Sequence, residues 1–151
     1  MKLFYICYYM MKLNIKNETS RLRAVILGTA ISNGPTPTVE QAYDPKSLEH
    51  IKAGTYPVEE DMVKEMEAVV KVLEKYNVTV YRPKVIENYN QIFARDISFV
   101  IEDKIIVANI LPDREREIDA IEYVWRQVDK SNRITLPEDC HVEGGDVMPW
   151  N

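Results

Sequence analysis

One segment constrains the fold more than any other. From Val58 to Tyr76 the apolar residues Met62, Met66, Val69, Val70 and Leu73 recur every three or four positions, with Glu and Lys between them. That period puts one apolar stripe along a helix, and the stripe requires a surface to pack against. Glu60 with Lys64 and Glu67 with Lys71 add favourable pairs four residues apart, and Glu59-Glu60-Asp61 suits the positive end of the helix dipole. The surface on offer is a set of short apolar runs closed by turn residues. Arg23 to Gly28 and Val78 to Tyr81 read as buried strands on either side of the helix, the second ended by Pro83.

Further along, Ile92 to Ile101 and Lys104 to Ile110 are two apolar segments around the turn-like Glu102-Asp103, which predicts a hairpin. A second helix is expected from about Asp113, after Pro112, with Ile118, Ile121, Val124, Trp125 and Val128 as its buried stripe. Arg133 to Leu136 and His141 to Met148 read as two more strands. The order strand, helix, strand, hairpin, helix, strand, strand defines a mixed α/β chain. Between the first strand and the long helix, Thr29 to Pro57 carries Gly34, Pro35, Pro37, Pro45, Gly54 and Pro57, with at most a short helix over Ser47 to Ala53. A connection of that length is a lid or an unstructured segment, and a lid is the reading taken here.

Composition narrows the function classes. The 151 residues are 46% hydrophobic and 28% charged, enough for one sizeable core, and the formal net charge is −5. No basic excess exists to neutralise phosphates or to hold an anionic membrane, so nucleic acid and membrane are not expected partners. Cys7 and Cys140 are too few for a disulfide framework and lack zinc-site spacing, which fits a cytoplasmic setting without metal or other cofactor. Residues 1–10 are aromatic and apolar but too short to span a bilayer, and a second Met-Lys-Leu begins at Met11. They are read as an extension, with the domain over 11–151. The chain stops at Trp150-Asn151 directly after an apolar segment, as the first part of a longer domain would, and an unfinished sheet edge there offers a surface for self-association.

Three constellations could carry chemistry. Cys140-His141 has the ingredients of nucleophilic catalysis, but neighbours on an extended segment point to opposite faces, so the imidazole is badly placed as a base for that sulfur. In the second, Asn90-Gln91-Ile92-Phe93-Ala94-Arg95-Asp96, an Arg-Asp pair opens an apolar strand. The pair is either a structural ion pair at a strand end or the presentation of Asp96 as a carboxylate to a planar guanidinium, with Phe93 as an aromatic face for the same cation. The third is His141-Val-Glu-Gly-Gly-Asp-Val-Met148, where Glu143 and Asp146 flank two glycines. Glycine inside a strand marks a bulge or a close approach by backbone or ligand, so a site explains the insertion better than a solvated turn does.

Phe-Ala-Arg-Asp followed about 47 residues later by Val-Glu-Gly-Gly-Asp-Val resembles the paired motifs of the amidinotransferase and arginine deiminase superfamily, from the strand at Arg23 to the end of the chain. The resemblance implies a five-bladed α/β propeller, the pentein fold, of which this chain would supply roughly the first half. It implies further that Asp96 grips the guanidinium of an arginine-like small molecule, that Phe93 and Asn90 line the same pocket, and that Glu143 orients a catalytic histidine. Asp146 would support the loop and Arg95 would buttress Asp96. The family's cysteine nucleophile and acid/base histidine lie beyond the Glu-Gly-Gly-Asp motif, in segments that this sequence does not contain. Cys140 and His141 stand at the wrong place in the order to replace them. The alternative is a noncatalytic domain that binds arginine-like ligands or associates with itself.

Overall fold

The computed structural model describes residues 10–42 and 44–150. Cys7 and, apart from Met10, the expected N-terminal extension lie outside the described residues. The chain divides into two compact units, one from Arg23 to Phe93 and the other formed by the described residues up to Leu22 together with those from Ala94 onward.

In the first unit, β1 (Ala24–Ile26) and β2 (Thr79–Tyr81) pair in parallel, with Val25 opposite Val80. A parallel pair cannot be joined by a tight turn, and the connection here contains α1 (Pro45–Ala53) and α2 (Glu59–Lys75). The long segment before α2 is therefore more ordered than its prolines and glycines suggest. Asp44 caps α1 by accepting from the Ser47 N–H at 2.9 Å, and Gly54 closes it in the left-handed conformation at φ 66°. Helix α2 falls where its period predicts, and Glu60 pairs with Lys64 at 2.8 Å. Glu67 turns away from Lys71 and pairs with Arg82 at 2.8 Å. The apolar stripe is not closed over: no residue of α2 is buried, and Val69 is 43% exposed, because two three-residue strands give it little surface to pack on. The buried centre of this unit is small, with Thr29, Ala30, Val78 and Gln91.

The second unit holds the larger core. A single helical turn, α3 (Ala94–Ile97), leads directly into β3 (Ser98–Ile101), which pairs antiparallel with β4 (Lys104–Val107). The expected hairpin is present, turning at Glu102 with φ 52°, and Ile15 bonds the Glu102 backbone in both directions at 2.9 and 2.6 Å. Both arms are shorter than expected, since Ile92 to Ile97 is not strand and the second arm ends at Val107, short of Ile110. From β4 the chain passes through a short 3-10 turn and α4 (Glu115–Trp125) to β5 (Arg133–Thr135), parallel to β4. Ile121, Val124 and Val128 are buried as expected, as are Ile97, Ile105 and Ile106, whereas Ile118 and Trp125 of the expected stripe are only half-buried. Each such side chain contributes on the order of 2 kcal/mol by leaving water. The strand expected over His141 to Met148 is absent: Gly144–Asp146 forms a 3-10 turn, because two adjacent glycines favour a close backbone approach over a ladder.

Candidate functional site

The turn at Gly144–Asp146 is held by the residue before Asp96. Arg95 donates Nε to the Gly144 carbonyl at 3.1 Å and Nη2 to the Val147 carbonyl at 2.8 Å. The glycines leave room for this close approach. A Cβ on Gly144 would run into the Arg95 carbonyl, and one on Gly145 would stand 2.7 Å from Asp96 Oδ1. The two motifs, separate in sequence, thus interlock within one unit. Arg95 does not buttress Asp96, contrary to expectation. Its third partner is Glu18, at 3.2 Å.

The partner of Asp96 is Arg114, whose Nη1 donates to Asp96 Oδ2 at 3.0 Å. The same nitrogen stands 3.7 Å from Glu143 Oε1, so Asp96 and Glu143 meet around one guanidinium. The rest of the Arg114 fork engages Glu117, with Nε to Oε1 at 2.7 Å and Nη2 to Oε2 at 3.2 Å. Glu117's hydrogen bonds, then Asp96's, hold the Arg114 guanidinium protonated far above its ordinary range. Burial pushes the Glu117 carboxyl above the usual carboxylate value, against the opposing pull of Arg114. Asp96 is mostly covered and Glu143 half-buried. Among the described contacts, three carboxylates thus surround the Arg114 guanidinium.

Asp146 closes the turn through its backbone, its N–H donating to the Glu143 carbonyl at 3.0 Å, while its side chain is exposed. Asn90 and Phe93 belong to the other unit. There Asn90 Oδ1 accepts from the Ile92 N–H at 3.0 Å, and both residues line a hollow of about 240 Å³ with Tyr56, Met62, Ile92 and His50. Phe93 is 53% exposed. Cys140 is exposed in a turn, its N–H donating to the Pro137 carbonyl at 2.9 Å, and His141 Nδ1 lies 3.4 Å from the Asn109 carbonyl. Among the described residues no group of three or more His, Cys, Asp or Glu could hold a metal, and no helix is long and apolar enough to cross a membrane.

Arg114 and Glu117 escaped the reading of the sequence, although a signal was available. Glu117 lies four residues before Ile121 and seven before Val124, so it falls on the apolar stripe of α4. A carboxylate there requires a cation within reach.

The α/β architecture is that of the amidinotransferases and dimethylarginine dimethylaminohydrolase (DDAH), the pentein superfamily that the motif pair resembles. SxtG, an amidinotransferase from Microseira wollei in the saxitoxin biosynthetic pathway, matches with a TM-score of 0.63 and 20% identity over 83% of this chain and 43% of its own. The inosamine-phosphate amidinotransferase StrB1 of Streptomyces griseus matches with a TM-score of 0.62 and 25% identity over the same shares, 83% and 43%. DDAH from Pseudomonas aeruginosa, solved as a mutant complexed with citrulline, gives 0.58 and 15% over 84% of this chain and 46% of that one. This chain thus spans less than half the length of these structures. No family model and no curated protein sequence matches it.

Proposed function

We propose that this chain is the guanidinium-holding part of an enzyme that modifies guanidino groups, of the amidinotransferase or of the deiminase and hydrolase kind, and that it contributes to a five-bladed α/β propeller in a cytoplasmic protein. The observation that carries the reading is the interlock of the two motifs, which brings Asp96 and Glu143 to one guanidinium. A carboxylate pair that receives the planar cation of an arginine side chain has the chemistry to receive that of a free arginine-like molecule. Phe93 and Asn90 supply an aromatic face and an amide in their own unit, the kind of lining that a flat cation takes.

In the complete reaction a cysteine thiolate attacks the guanidinium carbon and forms a C–S bond. The amine leaves with a proton from a histidine, and the covalent amidino intermediate is resolved by water or by a second amine. Carboxylates that hold the guanidinium planar and oriented contribute proximity, while the thiol contributes the covalent step. Cys140 and His141 are not given these roles, since neither touches the Asp96 cluster in the contacts above.

Titration of the chain with L-arginine and with L-citrulline, followed by NMR, tests the reading. Arginine should bind, citrulline should bind far more weakly for want of the charge, and Asp96→Asn should lower arginine affinity about tenfold or more. Equal affinity for the two ligands, or none for either, contradicts it. Concentration-dependent self-association without arginine affinity would favour the noncatalytic alternative.

A further inference from the structure

The proposed function leaves Arg114 and Glu117 without a part. Glu117 is 2% exposed on the core face of α4, where an unpaired carboxylate is expensive. Its two oxygens take Nε and Nη2 of Arg114, and two parallel bonds between planar groups fix the plane of the guanidinium as a single bond could not. What remains is the edge carrying Nη1, and that edge meets Asp96 at 3.0 Å and Glu143 at 3.7 Å. The opposite oxygen of Asp96 faces Gly145, which is bare of a side chain. Asp96 is thereby set between a rigid donor on one side and the glycine turn on the other.

We propose that Arg114 is a positioning residue: Glu117 anchors its plane, and its Nη1 sets the spacing and orientation of Asp96 and Glu143. The inference rests on the reading of those two carboxylates as partners of a guanidino substrate. Lysine could supply the charge but not the fork, so orientation and charge are separable.

The test uses the whole chain in two forms. Arg114→Met/Glu117→Gln removes both charges together, so the buried Glu117 carboxylate is not left uncompensated, while Asp96 and Glu143 lose the cation between them. Arg114→Lys keeps the cation. NMR follows the Asp96 side-chain carboxyl and the Gly145 amide, and L-arginine titration follows affinity. In the double variant both resonances should move and affinity should fall about tenfold or more. Arg114→Lys should recover part of the affinity but not the wild-type resonances. Unmoved resonances overturn the proposal, and so do moved resonances with unchanged affinity, which would leave Arg114 a purely structural pair. If the double variant does not fold, Arg114→Lys decides: wild-type resonances and affinity in it overturn the proposal. If the wild-type chain binds no arginine, the functional reading fails, while the Asp96 and Gly145 resonances still decide whether Arg114 orients the carboxylate.

Discussion

Arg95 Nε lies 3.1 Å from the carbonyl oxygen of Gly144, and this bond joins two motifs that are 49 residues apart. Arginine and aspartate are neighbours in sequence but part company in space. Arg95 reaches to the glycine turn, and Asp96 reaches to Arg114, just before α4. On the one-turn helix successive side chains leave at about 100° to each other, so the two neighbours reach different partners.

Replacing Arg95 by Met should therefore loosen the turn without disturbing the Asp96 pair. Two bonds from a cation to carbonyls are lost, and because the side chain is half exposed, water replaces part of them. A loss of about 1–2 kcal/mol in urea unfolding is expected. Glu18→Gln should cost under about 0.5 kcal/mol, since its pair with Arg95 is exposed on both sides. An equal loss in the two variants would mean that the surface pair, and not the clasp, holds the turn.

The two glycines should respond differently. On Gly144 a methyl meets the backbone carbonyls of Arg95 and, at 3.1 Å, of Ser98, which cannot move aside without disturbing β3. Gly144→Ala should destabilise by at least about 2 kcal/mol. On Gly145 the methyl meets only Asp96 Oδ1, at 2.7 Å, the end of a side chain. Gly145→Ala should cost less than about 1 kcal/mol in stability yet shift the Asp96 carboxyl resonance. Equal destabilisation by the two substitutions would contradict this division.

Much of the fold is legible in the sequence where period is strong and local. The 3.6-residue repeat of α2, the hairpin turn at Glu102-Asp103 and the buried face of α4 follow from spacing alone. Ile92 to Ile97 misleads because so short a segment, apolar but for Arg95 and Asp96, shows no clear period, so a single helical turn cannot be told from strand. His141 to Met148 misleads for the opposite reason: flanking valines suggest a strand, while the conformation is set by Arg95 from far along the chain. The pairing of Asp96 with Arg114 was out of reach for the same cause, since sequence adjacency pointed to Arg95. What spacing did convey is that Asp96 and the Glu-Gly-Gly-Asp segment are unusual in apolar surroundings, and the two do meet.

Glu117 should leave a signature in the dependence of stability on pH. Burial raises its carboxyl above the ordinary value of 4.5 in the folded chain, so between that value and the raised one the folded state binds more protons than the unfolded state. Stability from this group is then fully present below 4.5 and is lost as pH rises through the folded value. The difference in unfolding free energy between wild type and Glu117→Gln, measured from pH 4 to pH 7, should move in the variant's favour as pH rises. A difference that stays flat, or that moves the other way, would mean that Arg114 outweighs burial and holds Glu117 at or below its ordinary value.

Gln91 offers a last test, in the unit that carries Asn90 and Phe93. It is 1% exposed and acts as a bracket for the loop after β2: Oε1 accepts from the Ile86 N–H at 2.7 Å, and Nε2 donates to the Lys84 carbonyl at 3.0 Å. Its own carbonyl accepts from the Thr29 N–H at 3.0 Å, and Gly28 passes so close to the carbonyls of Gln91 and Ile92 that a Cβ would collide with both. Gln91→Leu keeps the volume but strands a backbone donor and an acceptor, at a cost of about 2–3 kcal/mol. The Ile86 amide should then exchange with solvent faster than in the wild type. Because Asn90 and Phe93 sit on the segment that Gln91 ties down, the hollow they line should widen with it, and arginine affinity should fall by more than it does in a Val72→Ala variant, altered at a position 56% exposed on α2. Unchanged Ile86 exchange would show that Thr29 and Gly28 hold the loop without the side chain of Gln91.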